Sequence, residues 1–239
     1  ICHGILLAED GTKLSKKLQN YTEPSVIFDN QGSDALRWYL MSSTIVRGGD
    51  LRISDSGIDD VVRQVLLPIW NAYGFFTLYA NVDGHRATMR SDSGHLLDRY
   101  LLAKTSMLVE AVADHMDAYD LPGATQEIQG FIDALNNWYI RRSRRRFWKS
   151  EDDEDKAQAY RTLYYVLLQL TKAAAPFIPC LSDSIYMNLR TSDMPDSVHL
   201  CDFPKADGGN RDEDLESQMA DVMTVVRLGR LLRSENNIR

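Results

Sequence analysis

Long hydrophobic runs and an excess of basic residues are missing from this 239-residue chain, and cysteines are few. No apolar run approaches the roughly 18 residues that a membrane-spanning helix needs, so we expect no membrane partner. The three cysteines (Cys2, Cys180 and Cys201) are widely spaced, which excludes a disulfide scaffold and a CxxC metal site. Such cysteine use is typical of a reducing compartment and predicts a cytoplasmic protein. The net charge of −7 excludes a generally basic nucleic-acid coat, so any contact with nucleic acid must come from a local patch.

The short signatures of several enzyme classes are absent too. The sequence has no GxSxG nucleophile elbow, no glycine-rich phosphate loop and no HExxH pair. Its five histidines are scattered and share no metal-ligand spacing. We therefore expect no metal site in this chain.

Apolar residues recur with helical spacing over most of the sequence. The first predicted helix runs from Ser33, which can cap it, to about 40, and the second runs from about 56 to at least 76. Further helices are predicted at 93–119, 125–148, 155–174, around 181–189, and from about 212 to the end. Pro68 and Gly74 predict a kink or break in the second helix. Strand-like patterns occur only at 5–8 and, more weakly, at 198–200.

The pattern as a whole predicts a mainly α protein, an antiparallel helical bundle with a short lead-in segment. The residues predicted for its core are Leu66, Ile69, Leu101, Leu108, Phe131, Leu135, Leu163, Leu167 and Leu170. Ile1 stands where an initiator methionine is expected, and Arg239 ends the sequence inside a predicted helix. We interpret both ends as cut, so the sequence predicts a piece of a longer chain.

Two clusters of positive charge stand out. The first is KLSKK at 13–17, directly after an Asp-Gly turn. Ammonium groups on a tight loop can bind a polyphosphate, although such loops are also common as solvated surface. The second is RRSRRRFWK at 141–149, which can bind RNA phosphates and stack on an unpaired base. Alternatively, its arginines complement a helix C-terminus and are neutralised by the acidic residues 151–155.

Several segments resemble class I aminoacyl-tRNA synthetases, in the order of that family. The segment DGTKLSKKLQN (10–20) resembles the family's KMSKS loop, with Leu14 in the usual place of Met and Lys17 in that of the second Ser. GSDALRWYL (32–40) resembles the segment that follows this loop in the subgroup for isoleucine, valine, leucine and methionine. IWNAYGF (69–75) is similar to the first helix of the subgroup's anticodon-binding domain.

Three later segments are similar to the isoleucine-specific branch in particular: NWYIRRSRRRFW (137–148), APFIP (175–179) and SVHL (197–200). The resemblance implies three regions. Residues 1–55 would be the end of the catalytic domain and a connecting segment, and 56–190 the anticodon-binding helical bundle. Residues 191–239 would be a loop and the truncated start of a C-terminal helical region.

The resemblance also implies a function, that of a monomeric ligase that uses ATP and Mg to activate isoleucine and then transfers it to its tRNA. The implied catalytic residues are Lys13, Ser15 and Lys16, and Lys13 and Lys16 would also bind ATP. The implied tRNA-binding residues are Asn71, Arg141, Arg144, Arg145 and Trp148. No counterpart of the family's nucleotide-binding HIGH motif occurs in the chain, so the piece alone should be inactive and should hold no ATP or Mg.

Two alternatives remain open at this point. The chain could be the corresponding region of a valine- or leucine-specific enzyme, because the lysine loop is shared across the subgroup. It could also be a helical protein-interaction module that does not bind RNA. RNA binding that weakens steeply as salt rises would indicate a tRNA ligase of any of these specificities, and its absence would indicate the interaction module.

Overall fold

Helices make up most of the chain in the computed structural model, which describes residues 3–86, 88–148, 154–236 and 238. The α-helices are α1 (Pro24–Asn30), α2 (Ser33–Met41), α3 (Asp55–Val61), α4 (Leu67–Asp83), α5 (Leu96–Asp117), α6 (Leu121–Asp133), α7 (Arg141–Trp148), α8 (Glu154–Ala174), α9 (Pro179–Leu189) and α10 (Glu213–Glu235). The predicted mainly α fold is confirmed. Cys2, Lys149 and residues 151–153 lie outside the described residues. None of the described helices is long and apolar enough to cross a membrane.

Four long helical rods form the bundle, and consecutive rods run in opposite directions. Short π-helical segments at Val62–Leu66 and Ala134–Ile140 join α3 to α4 and α6 to α7, so each pair is one rod. The other two rods are α5 and α8. Because the directions alternate, α4 and α7 run the same way: Pro68 accepts a hydrogen bond from Asn136, and farther along both rods Phe75 packs on Phe147.

The apolar faces of these rods build one large core. Of the nine residues predicted for it, all are buried except Leu66, which is half-buried against the same cluster. A second, smaller cluster joins α10 to the bundle, and its buried members are Tyr100, Trp138, Leu215 and Met219. Burial of apolar surface on this scale is the main force that holds the rods together.

Of the kink or break predicted at Pro68 and Gly74, the break does not occur in the rod formed by α3 and α4. The rod continues from α3 to the end of α4, and its irregularity is the π-helical segment that ends just before Pro68. Proline has no amide hydrogen and its ring crowds the preceding turn, and a wider π turn accommodates both effects. Gly74 lies inside α4, where an added Cβ would meet no heavy atom within 4 Å, so the helix passes through it unbroken.

The lead-in segment contains a small parallel sheet that the sequence pattern did not predict. Strand β1 (Leu6–Leu7) pairs with β2 (Leu51–Arg52). A two-residue strand has no period that a pattern can detect, which is why β2 was missed. The strand-like pattern at 198–200 forms a 3-10 turn instead. The residue before α2 is Gly32, with φ of 87°, and Ser33 is the first residue of the helix rather than its cap.

A buried carboxylate joins the lead-in segment to the bundle. Asp34 in the first turn of α2 accepts hydrogen bonds from the backbone amides of Cys180 (3.2 Å) and Leu181 (2.7 Å). These amides belong to the first turn of α9 and have no partner within that helix. Arg37, one turn later, donates to the carbonyl oxygen of Pro176. Asp34 thus acts as a helix cap supplied by a distant part of the chain.

Candidate functional site

The lysine loop, residues 10–20, begins with a tight turn after β1. Gly11 adopts a φ of 82°, which favours glycine. Asp10 accepts hydrogen bonds from both the hydroxyl (2.7 Å) and the amide (2.8 Å) of Thr12. These bonds from Thr12 lower the pKa of the Asp10 carboxyl. The turn sends the chain back along β1, where Leu7 and Lys13 form an antiparallel bridge.

Asn20 fixes the rest of the lysine loop. Its carbonyl oxygen accepts the backbone amide of Ser15 at 2.9 Å, while its amide nitrogen donates to the Thr12 hydroxyl and the Lys13 carbonyl. The side chains of Lys13 and Lys16 remain exposed, and within the described residues neither makes an ion pair. The loop therefore combines a backbone held by local hydrogen bonds with two ammonium groups available to an anion.

The second positive cluster lies on α7 and divides into exposed and buried arginines. Arg141, Arg144 and Arg145 are exposed, and Arg142 lies over the ring of Trp138 at 4.4 Å from its centroid. Arg146, by contrast, is only 6% exposed. The arginines of α7 therefore do not share one role: some are exposed and available to a ligand, and Arg146 is buried.

Arg146 is the centre of a buried polar network. Its guanidinium contacts both carboxylate oxygens of the fully buried Asp98 (2.5 and 2.8 Å), and its Nε donates to Asp155 at 2.8 Å. Tyr139 donates to the same Asp98 carboxylate at 2.8 Å. Burial alone would lower the pKa of Arg146, but its hydrogen bonds to Asp98, together with the charges of Tyr139, Asp98 and Asp155, outweigh burial and raise that pKa. The acidic residues after α7 thus neutralise this one arginine in part, through Asp155.

Trp148, at the end of α7, lies on the surface. It is 57% exposed, and its indole nitrogen donates to the hydroxyl of Tyr79 on α4. Its neighbour Phe147 is buried and packs edge-on against Phe75 and Tyr160, 5.0 Å away between centroids in each case. Phe147 therefore anchors the helix end, and Trp148 keeps an accessible ring.

A polar groove, here called the amide groove, lies between the α3–α4 rod and the α6–α7 rod, and both π-helical segments contribute residues to it. Its lining residues are Gln64, Pro68, Asn71, Gln129, Ile132, Asp133, Asn136 and Asn137. Asn71 is exposed in it and, within the described residues, makes no side-chain hydrogen bond. Asn71 is about eight residues, or about 12 Å of helix, from Tyr79. Asn71 and Trp148 consequently border one surface made by α4 and α7.

Sequence reasoning named the exposed residues of this surface but missed the residues on other helices that hold them in place or line the groove. Asp98 is 48 positions from Arg146, and nothing local marks it as that residue's partner. The groove residues Gln129 and Asp133 are equally unmarked, because their role depends on which rods face each other. For metals, no group of three or more His, Cys, Asp or Glu side chains within the described residues could hold an ion.

Comparisons with known proteins show which family the chain resembles. Residues 98–239, more than half of the chain, match the family described as "Anticodon-binding domain of tRNA ligase", and residues 1–54 match "tRNA synthetases class I (I, L, M and V)". The chain is 45% identical over 240 residues to isoleucine–tRNA ligases of Protochlamydia amoebophila and Chlamydia muridarum, and 45% identical over 253 residues to that of Treponema denticola. Each comparison covers all of this chain but only 23% of the relative.

The fold has a counterpart among solved structures. The LeuRS of Agrobacterium radiobacter K84, in a ternary complex with tRNA and LeuAMS, superposes with a TM-score of 0.67 over 88% of this chain and 24% of that one, at 20% identity. At that identity the likeness establishes the fold alone. The family match over residues 98–239 goes further, and from it we conclude that this chain belongs to the anticodon-binding domain family of the class I tRNA ligases.

Proposed function

We propose that the chain is the part of an isoleucine–tRNA ligase that contacts the anticodon arm of the isoleucine tRNA and supplies the lysine loop for activation of isoleucine by ATP. Relatives named for isoleucine, 45% identical over the whole chain, favour isoleucine over valine or leucine. The chain spans 23% of their length, so this function needs the rest of such an enzyme. We further propose that the complete enzyme is a cytoplasmic monomer that uses Mg with ATP.

The observation that supports tRNA binding best is the surface shared by α4 and α7. Arg144 and Arg145 are exposed there in a protein whose net charge is −7, and they supply local attraction for phosphates. Trp148 presents a ring on which an unpaired base can stack, a contact worth about 1–3 kcal/mol. Asn71 offers an amide that can donate to and accept from a base edge. Anticodon loops present such unpaired bases.

Binding of the isoleucine tRNA to the chain at two salt concentrations tests this surface. We expect Trp148→Ala to weaken binding at both salts, because stacking is not ionic. Arg145→Ala should reduce the slope of log K against log salt by about 0.7, the value for one phosphate of a single strand. Arg141→Ala and Arg144→Ala should act like Arg145→Ala.

Two exposed residues far from α7 in sequence serve as matched controls: Phe203→Ala for the aromatic ring and Lys205→Ala for the charge. Both should bind as the wild type does. If the four α7 variants fold and all bind tRNA as the wild type does, the RNA surface lies elsewhere. Salt-independent binding of a protein partner, with no RNA binding, would favour the interaction module.

For the lysine loop, we propose that Lys13 and Lys16 stabilise the charge that develops on the departing pyrophosphate, with the Ser15 hydroxyl as a further donor. Support comes from the exposed ammonium groups on a backbone that Asn20 holds in place. In the complete ligase, Lys16→Ala should slow pyrophosphate exchange by about 100-fold or more and leave isoleucine binding nearly unchanged. Lys17→Ala is the matched control, and equal exchange by Lys16→Ala and wild type would remove the loop from the mechanism.

A further inference from the structure

A second cavity, here called the α10 pocket, lies between α5, α6 and α10. It shares no lining residue with the amide groove, and none of the proposed catalytic or tRNA-binding residues lines it. Its volume is about 250 Å³. Pockets that hold drug-sized ligands measure roughly 300–1,000 Å³, so the α10 pocket has room for a smaller molecule. The site is therefore separate from the functions proposed above.

The polar feature of the α10 pocket is the carboxylate of Glu216, on α10. The side chain is only 9% exposed, and its Oε1 makes no hydrogen bond within the described residues. Its Oε2 lies 3.7 Å from Nζ of Lys104, which is longer than a hydrogen bond. Burial raises the pKa of the Glu216 carboxyl. A buried carboxylate oxygen without a donor costs free energy, and a ligand that donates to it would recover that cost.

The rest of the pocket is mainly apolar and offers contacts that suit an aromatic ring. Phe131 on α6 supplies a ring, and Met107 and Met223 supply thioether groups, which pack favourably against aromatic rings. The hydroxyl of Tyr100 is already engaged, because it donates to the sulfur of Met223 at 3.6 Å. Gly130 gives α6 no side chain at the pocket, and an added Cβ there would meet no heavy atom within 4 Å.

The charge of the lining favours a cation. Its charged residues are Glu127, Glu216 and Lys104, and burial raises the pKa of Tyr100 to about 12, so the tyrosine is neutral at pH 7. Two carboxylates and one ammonium group leave a net charge of −1. Because the Lys104 side chain is 34% exposed, its ammonium group can turn to solvent and leave Glu216 to a ligand.

From this combination we propose that the α10 pocket binds a small arylalkylammonium ion, whose ammonium group donates to Oε1 of Glu216 and whose ring packs on Met107, Phe131 and Met223. Such a ligand would contact α5, α6 and α10 at once. Apart from surface ion pairs, the contacts that hold α10 on the bundle belong to the small cluster around Leu215 and Met219. Binding should therefore strengthen the attachment of α10.

Titration with 2-phenylethylamine, which is protonated at pH 7, tests the proposal. The chain carries ¹³C-methyl methionine, and NMR follows the methyl signals. We expect the signals of Met107 and Met223 to move, whereas that of the exposed Met187 on α9 should stay unchanged. The neutral 2-phenylethanol has a similar shape and should bind about tenfold more weakly, the effect of one hydrogen bond between charged groups. Hydrogen exchange of the α10 amides should slow when the amine binds.

Two variants assign the carboxylate. Glu216→Gln should weaken binding of the amine about tenfold, whereas Glu235→Gln, at an exposed position of the same helix, should leave it unchanged. Lys104→Gln should tighten binding about threefold, since it removes a competing cation. Unmoved Met107 and Met223 signals, equal binding of amine and alcohol, or wild-type affinity in Glu216→Gln would overturn the proposal. If Glu216→Gln does not fold, Lys104→Gln decides, and unchanged or weaker binding there would refute it.

Discussion

The lysine loop and helix α7, which carries the arginine run, both have clustered positive charge, yet they are held in place in different ways. Every hydrogen bond that shapes the lysine loop joins residues at most eight positions apart, as between Asn20 and Thr12. On α7, the decisive contact joins Arg146 to Asp98, 48 positions away. One cluster depends on local sequence, and the other depends on how two rods of the bundle pack.

This difference teaches that a run of like residues need not share a role. All arginines of α7 are equivalent in the sequence, but the packing of α5 and α8 makes one of them a buried anchor and leaves others on the surface. The lysine loop contains no such anchor, because its lysines all point to solvent and its fixed points are the polar side chains of Asp10, Thr12 and Asn20.

The largest effect is expected from Arg146→Met. This change leaves the buried carboxylate of Asp98 without its cation and should lower the free energy of unfolding by about 3–5 kcal/mol. Denaturant titration followed by circular dichroism measures it. Arg145→Met, at the neighbouring exposed position, should stay within about 0.5 kcal/mol of the wild type. A loss below about 1 kcal/mol for Arg146→Met would refute the anchor role.

A second large effect is expected from the apolar core between the rods. Leu135 is fully buried, and Leu135→Ala should cost about 2–5 kcal/mol of unfolding free energy through lost burial and the cavity it creates. Leu18 in the lysine loop is exposed, so Leu18→Ala should cost less than about 0.5 kcal/mol. Similar values for the two variants in the same titration would show that the apolar face has been assigned wrongly.

An intermediate effect is expected at the joint between the lead-in segment and the bundle. Asp34→Ala removes the acceptor for two amides of α9 and should destabilise the protein by about 1–2 kcal/mol. Asp29→Ala, at an exposed position of α1, serves as control and should change stability very little. Thermal unfolding distinguishes the two, and an unchanged midpoint for Asp34→Ala would argue against the capping role.

The smallest effect is expected in the lysine loop itself. Asn20→Ala should leave global stability within about 0.5 kcal/mol but accelerate hydrogen exchange of the Ser15 amide about fivefold, since that amide loses its acceptor. Lys17→Ala, whose side chain is exposed, should leave this exchange rate unchanged. Unchanged exchange in Asn20→Ala would mean that the loop is held by something other than its local hydrogen bonds.

Much of the fold followed from the sequence because helical periodicity is a local signal. The long rods were predicted within a few residues of their ends, as for α8, predicted at 155–174 and observed at Glu154–Ala174. The short elements were not: α1 and β2 contain too few residues to show a period. The division into regions at residues 55 and 190 stays a prediction.

For the candidate site, the order of motifs identified the family, and composition marked the two positive clusters. The site residues predicted from those motifs, Lys13, Ser15 and Lys16 in one cluster and Asn71, Arg141, Arg144, Arg145 and Trp148 in the other, keep their proposed roles as predictions. The amide groove could not be predicted, because glutamine and asparagine on a helix are ordinary surface residues until another rod brings a second set opposite them.

By itself, the sequence determined the helical rods, the turn chemistry of the lysine loop and the family, since each depends on residues near one another in the chain or on their order. Only the tertiary structure decided that Arg146 is buried while Arg145 is exposed, that Asp34 caps a helix about 146 positions away, and that two π-helical segments contribute residues to one groove. These outcomes depend on which faces become neighbours when apolar surface is buried, and burial favours the packing of the whole chain over the preference of any single segment.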